Sequence, residues 1–219
     1  VTTETIKVYR NLAEIDGEWA GKTRELAHEN QVRILNFIGS PGCGKTALLE
    51  AMAHRLGNHI NAAVLEGDIA TTRDAERLDR AGLQVSQLLT DGGCHLSAQL
   101  VHTAFAELPL DSLDLVVVEN VGNMVCPACF DIGEDAKIAF LSTTEGEEKP
   151  LKYPRLFRDA QAVIITKTDL LPHLPFSLDT ALQAVQNVNG NADIFTLSAV
   201  TGEGMNQWIS WVDNFIARP

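Results

Sequence analysis

Eight consecutive residues, Gly39-Ser40-Pro41-Gly42-Cys43-Gly44-Lys45-Thr46, satisfy every fixed position of the pattern G-x-x-x-x-G-K-[ST]. The residue types serve one purpose. Glycines let successive backbone N–H groups curl round an anion, and a helix opening at Lys45 turns its positive end toward it. Gly39, Gly42, Cys43, Gly44, Lys45, Thr46 and Ala47 are therefore the expected nucleotide-binding positions. Lys45 is expected at the β- and γ-phosphates and the Thr46 hydroxyl on Mg²⁺. At Cys43 the backbone matters and the thiol does not. The alternative is a chance match in an ordinary strand-to-helix turn, and the apolar run before it and helical run after it count against that.

Further along, the apolar run Ala162 to Ile165 leads into Thr166-Lys167-Thr168-Asp169. A guanine reader presents Asn-Lys-x-Asp at such a place, with the Asp taking two ring N–H donors and the Lys stem covering the base. Thr166, Lys167 and Asp169 are expected there, with Ser198 and Ala199 as a second base-contacting loop; the bland alternative is a charged strand-end turn. Two acidic strand ends complete the nucleotide reading. Asp68, in Glu66-Gly67-Asp68, is expected to bind Mg²⁺ through water or to orient the attacking water, although Asp68 or Asp74 could merely cap the next helix. Glu119 and Gly122, in Glu119-Asn120-Val121-Gly122, are expected to face Mg²⁺ and the γ-phosphate, the alternative being a strand-end carboxylate followed by a glycine turn. No glutamine follows Gly122 to position water, so slow intrinsic hydrolysis is expected.

A second chemistry is carried by thiols and imidazoles. Cys94-His95 follows a Gly-Gly pair after the third strand, and Cys126-Pro127-Ala128-Cys129 follows the Glu119 segment. Both sets leave the same edge of the sheet as the glycine-rich loop, so Cys94, His95, Cys126 and Cys129 could converge. Thiolate with imidazole suits Zn²⁺ or Ni²⁺. Three alternatives stand beside a metal site: a redox pair at Cys126 and Cys129, disfavoured because a strand-end setting differs from a helix start; plain buried cysteines; and His95 as an early helix residue. His102 lies two helical turns beyond His95 and is a weak further candidate. His28, His54, His59 and His173 have no visible partners.

These residues need a frame that brings strand ends together. Short apolar runs at 33–38, 62–65, 85–89, 113–118, 136–141, 162–166 and 194–197 read as strands. Helical patterns at 45–56, 74–81, 95–107, 177–188 and 205–217 fall among them, with a helical turn at 156–160 and a loop at Pro172 to Pro175. The implied fold is α/β, a mostly parallel central sheet with helices on both faces. Residues 1–31 are expected to form an N-terminal extension with an amphipathic helix at 17–31, and residues 32–219 a single nucleotide-binding domain with an embedded metal site. The chain has 17 Lys+Arg against 29 Asp+Glu and a formal charge of −12, which argues against nucleic acid as a partner. No apolar run approaches the roughly 18 residues needed to cross a bilayer, and the N-terminus lacks a leader pattern, so a soluble, cytoplasmic protein is expected. Four cysteines in 219 residues are too sparse for a disulfide scaffold.

The segments GSPGCGKT, EGDIATTRDAER, DGGCHL, ENVGNMVCPACFDIGE, TEGEEKPLKYP and SAVTGEGMNQW together resemble the HypB family of hydrogenase nickel-incorporation GTPases, over nearly the whole chain from about Asn30 to Ile216. The urease chaperone UreG is similar in its P-loop class but carries a Cys-Pro-His element absent here. The resemblance implies a P-loop GTPase of the signal-recognition-particle and MinD-like class that binds GTP/GDP with Mg²⁺. It implies a GTP-dependent homodimer, Ni²⁺ or Zn²⁺ at Cys94, His95 and Cys126 on the subunit interface, and the partners HypA and the [NiFe]-hydrogenase large subunit. Lys45, Thr46, Asp68 and Glu119 fall on the family's catalytic and Mg²⁺ positions. Three departures stand out. The chain has no N-terminal cysteine motif or His-rich stretch, Cys129 replaces a small residue, and Thr166 replaces the guanine-motif Asn. A nucleotide-sensing metal carrier with negligible turnover, or a nickel chaperone for another metalloenzyme such as urease, remain the alternatives.

Overall fold

The computed structural model describes residues 3–56, 59–68, 73–90 and 92–218, with side chains from residue 14 onward and without that of Asp68. Its frame is a seven-stranded sheet in the order β3-β2-β4-β1-β5-β6-β7, parallel throughout. The strands are β1 (Arg33–Ile38), β2 (Ala62–Asp68), β3 (Gln84–Leu89), β4 (Leu115–Glu119), β5 (Ala136–Ser142), β6 (Ala162–Thr166) and β7 (Asp193–Thr196). Composition separates central strands from edge strands. Leu-Val-Val-Val-Glu of β4 and Ala-Val-Ile-Ile-Thr of β6 are buried at every position, as strands covered on both faces must be, while β3 and β7 at the edges keep polar, part-exposed residues.

Around the sheet run α1 (Thr3–Glu29), α2 (Lys45–Leu56), α3 (Arg73–Arg80), α4 (Ala98–Ala106), α5 (Cys126–Cys129), α6 (Lys149–Lys152), α7 (Pro154–Asp159), α8 (Leu178–Val188) and α9 (Met205–Ile216). Side chains alternate between faces along each strand. Leu35, Phe37, Val64 and Val117 therefore join α2 and α9 through Leu48, Met52 and Trp208. Their neighbours Ile34, Leu65, Val116 and Val118 join α1 and α4 through Ala27, Val101 and Phe105. The far half of the sheet packs Ile38, Leu141, Val163 and Ile165 on α7 and α8.

Several boundaries differ from the sequence reading. The helix expected from His95 starts at Ala98, because the Ser97 side chain accepts a hydrogen bond from Leu100 N and caps it there. His95 is consequently a loop residue, and the two-turn relation to His102 does not exist. The N-terminal helix runs from Thr3 rather than Gly17, and its buried stripe Ala20, Thr23 and Ala27 faces inward at helical spacing. The Pro172 region is a 3-10 helix, Thr168–His173. Cys126 opens a helical turn after all, since Pro127 suits a first helical turn; the stated ground for disfavouring a redox pair falls with it. Among the described residues no helix is long and apolar enough to cross a membrane.

Candidate functional site

The C-terminal ends of β1, β2 and β4 lie level, with Phe37 opposite Glu119 and Glu119 opposite Glu66. The glycine-rich loop springs from this edge between β1 and α2. Gly42 and Gly44 take φ values of 70° and 100°, which turn their N–H groups to one side of the loop. Lys45 and Thr46 are buried at the first turn of α2. The Thr46 hydroxyl donates to Glu119 Oε1 at 2.8 Å, and Glu119 is 5% exposed with Oε2 unpartnered among the described residues. Burial pushes the Glu119 carboxyl up, against the pull of Lys45 and of the Thr46 hydrogen bond. A buried, half-satisfied carboxylate beside a hydroxyl and a lysine is a place where a divalent cation bound to phosphates would fit.

Gly122 lies where a Cβ would meet Pro41 at 2.9 Å, so the segment after β4 presses on the glycine-rich loop itself. Asp74 and Arg77 line the same cleft as Lys45 and Glu119. Arg77 grips Glu50 of α2 through two nitrogens, at 3.1 and 2.6 Å, and Asp74 at 2.9 Å. The side chain of Asp68 lies outside the described residues.

At the end of β6, Thr166 braces the glycine-rich loop. Its buried hydroxyl donates to the Cys43 carbonyl at 2.6 Å. Lys167 adopts a left-handed φ of 60° and its ammonium donates to the Gly42 carbonyl at 2.7 Å. The Asp169 Oδ1 atom is buried without a hydrogen-bond partner among the described residues, as an acceptor awaiting ring N–H donors would be. Ser198 is fully buried, and its hydroxyl accepts from the N–H groups of Val200 and Thr201, which shapes the loop carrying Ala199.

The thiols and imidazole gather beside this cleft. Cys94 is exposed, its Sγ lies 3.6 Å from His95 Nδ1, and the neighbouring Cys126 thiol pushes the Cys94 thiol up. Burial holds His95 below the usual imidazole range, against the charge of Asp16, so the neutral, lone-pair-bearing ring is favoured. Among the described residues no three His, Cys, Asp or Glu side chains close round an ion by themselves. What they form is an open, surface-facing donor set. Cys129 turns its thiol onto the Val125 carbonyl at 3.3 Å, away from the pair. His102 is not part of the group: its Nδ1 meets the Thr23 hydroxyl at 3.2 Å and its ring packs on Trp19 of α1.

Residues 33–196 match the family described as CobW/HypB/UreG, nucleotide-binding domain. The chain is 43% identical to hydrogenase maturation factor HypB of Escherichia coli (strain K12), over 93% of this chain and 73% of that one. The crystal structure of hydrogenase maturation factor HypB from Archaeoglobus fulgidus superposes with a TM-score of 0.87 at 30% identity, covering 93% of this chain and 99% of that one. The chain belongs to the HypB family. A further HypB structure, from Helicobacter pylori in complex with nickel, also gives a TM-score of 0.87, at 34% identity and covering 92% and 94% of the two chains.

Seen as a HypB domain, the molecule uses residues that single-residue reasoning passed over. Asn123 donates to the Cys94 carbonyl at 3.2 Å and accepts from Val125 N at 2.9 Å, tying the Cys94 loop to the segment between Gly122 and Cys126. Asn120 accepts from Leu96 N and donates to Asn36, which donates in turn to Glu134. This buried chain joins the loop after His95 to the P-loop strand. Lys149 of α6 donates to the P-loop Ser40 hydroxyl at 3.1 Å. The two asparagines sat inside a quoted motif, where spacing gave no sign of their partners.

Proposed function

We propose that this HypB-family chain is a GTP-hydrolysing metallochaperone that binds Ni²⁺ or Zn²⁺ at Cys94, His95 and Cys126 and assists nickel insertion during [NiFe]-hydrogenase maturation in the cytoplasm. The observation that carries the reading is the short connection from Glu119, bonded to Thr46, to Cys126, which neighbours Cys94. The nucleotide cleft and the donor set are two ends of one loop of about seven residues. Mg²⁺ arriving with GTP would be held by Thr46 and Glu119, with Asp68 at the same edge, and would offset charge on the β- and γ-phosphates. Lys45 would neutralise the transferred phosphoryl group, and Asp169 with Lys167 would select guanine. With Asn123 rather than glutamine after Gly122, water is poorly ordered and turnover by the isolated chain is slow.

The open donor set supports a dimer in which two copies face their Cys94 and Cys126 thiols across an interface, with the ion as cargo passed onward. HypA-type chaperones and the hydrogenase large subunit are the proposed partners. The test is titration of the purified chain with Ni²⁺ and Zn²⁺, in GDP and in a non-hydrolysable GTP analogue, while oligomer mass is followed. The expected result is metal binding lost in Cys94→Ala, with affinity and dimerisation set by the nucleotide. Equal metal binding in all nucleotide states would overturn the coupled reading, and GTP turnover no faster than that of Lys45→Ala would reduce the protein to a carrier.

A further inference from the structure

We infer that Phe130 is a positioning residue for the metal site: its ring fixes the plane of the His95 imidazole, and helix α1 holds Phe130 in place. The inference rests on the reading of His95 as a metal ligand. The two rings stack with centroids 3.9 Å apart and planes only 2° from parallel. Imidazole lone pairs lie in the ring plane, so a stack leaves both nitrogens accessible while it removes the freedom of the ring to turn. The stacked orientation is the one that brings Nδ1 to 3.6 Å from the Cys94 thiol.

Phe130 directly follows α5, the turn that carries Cys126, and the chain after it is clamped to α1. Asp131 accepts from Gly133 N and forms an ion pair with Arg24 of α1. Gly133, at a φ of 92°, sits so close to α1 that a Cβ would lie 2.6 Å from Thr23 Cβ and 2.8 Å from the Ala20 carbonyl. Ile132 N donates to Glu134 at 2.8 Å and finishes the clamp. Helix α1 thus reaches His95 through a stacked ring. Partners that orient a ligand imidazole alter metal affinity by about 10- to 100-fold when removed.

The test compares wild type, Phe130→Leu, Phe130→Tyr, Arg24→Gln and His95→Ala in the full chain. Ni²⁺ affinity is measured by competition with a chromophoric chelator, the His95 ring protons by NMR of the metal-free protein, and folding by melting temperature. Phe130→Leu is expected to weaken Ni²⁺ binding by roughly 10-fold and to move the His95 protons out of the upfield position that ring stacking imposes. Phe130→Tyr is expected to restore both, and Arg24→Gln to give a smaller change of the same sign should Phe130→Leu fold poorly. Wild-type affinity and unmoved His95 protons in both Phe130→Leu and Arg24→Gln would overturn the proposal and leave the metal reading intact. Unchanged Ni²⁺ binding in His95→Ala would overturn both.

Discussion

Glu119 concentrates the conflict between stability and function in one carboxylate. The fold buries it with one oxygen bonded to Thr46 and the other unpartnered, and burial raises its pKa above the unfolded value. Between those two values the native state binds more protons than the unfolded chain, so stability falls as pH climbs through the window. Without nucleotide, Glu119→Gln is expected to melt above wild type at about pH 8 and to converge with it near about pH 3, where the carboxyl is protonated in both states. Magnesium and GTP should reverse the order, which thermal melts with and without ligand would detect. Thr166 offers the opposite case. Thr166→Val leaves the Cys43 carbonyl without its donor, costs about 1–3 kcal/mol, and should weaken GDP binding in a fluorescent-nucleotide titration, whereas Thr166→Ser should not. The phosphate loop was legible in the sequence because its chemistry is contiguous. Asn120, Asn123 and Lys149 were not, because their partners are brought up by distant strands and no periodicity encodes them.

At the scale of elements, the decisive contacts are places where backbone meets backbone. Gly122 touches Pro41 so closely that the methyl of Gly122→Ala has no flexible neighbour to displace. Overpacking of this kind costs about 1–3 kcal/mol, so an order of ten-fold loss in nucleotide affinity is expected by calorimetry. Helix α1 is the other such element. Its stripe of Ala20, Thr23 and Ala27 is fully or nearly fully buried, and removal of residues 1–31 should lower stability by about 3 kcal/mol or more in urea melts. The sequence located that helix but not its reach, since amphipathic spacing gives a face and not a partner. Strands were readable as apolar runs, whereas the Ser97 cap, which starts α4 three residues later than expected, was not. Their order across the sheet, which decides that β4 lies between β1 and β2, is a tertiary fact.

For the whole molecule, the same sheet edge carries the glycine-rich loop and the Cys94 and Cys126 loops, and Asn123 ties the latter two together. On the proposed function, the factor by which nucleotide changes metal affinity through the Glu119–Cys126 segment must equal the factor by which metal changes nucleotide affinity. A coupling of roughly 5- to 150-fold between GTP analogue and Ni²⁺ is expected from paired titrations, and it should shrink toward unity in Asn123→Ala.

Cys43 lies inside the phosphate loop with no exposed surface, wedged against Gly39, and burial pushes its thiol up and keeps it protonated. Under the proposed function a carrier of a sulfur-seeking ion would run the hazard of self-poisoning, because a reactive thiolate beside bound phosphates would trap the cargo. Here the hazard is sealed off by packing. A thiol-reactive dye should count three cysteines in the native protein, Cys94, Cys126 and Cys129, and a fourth only after denaturation.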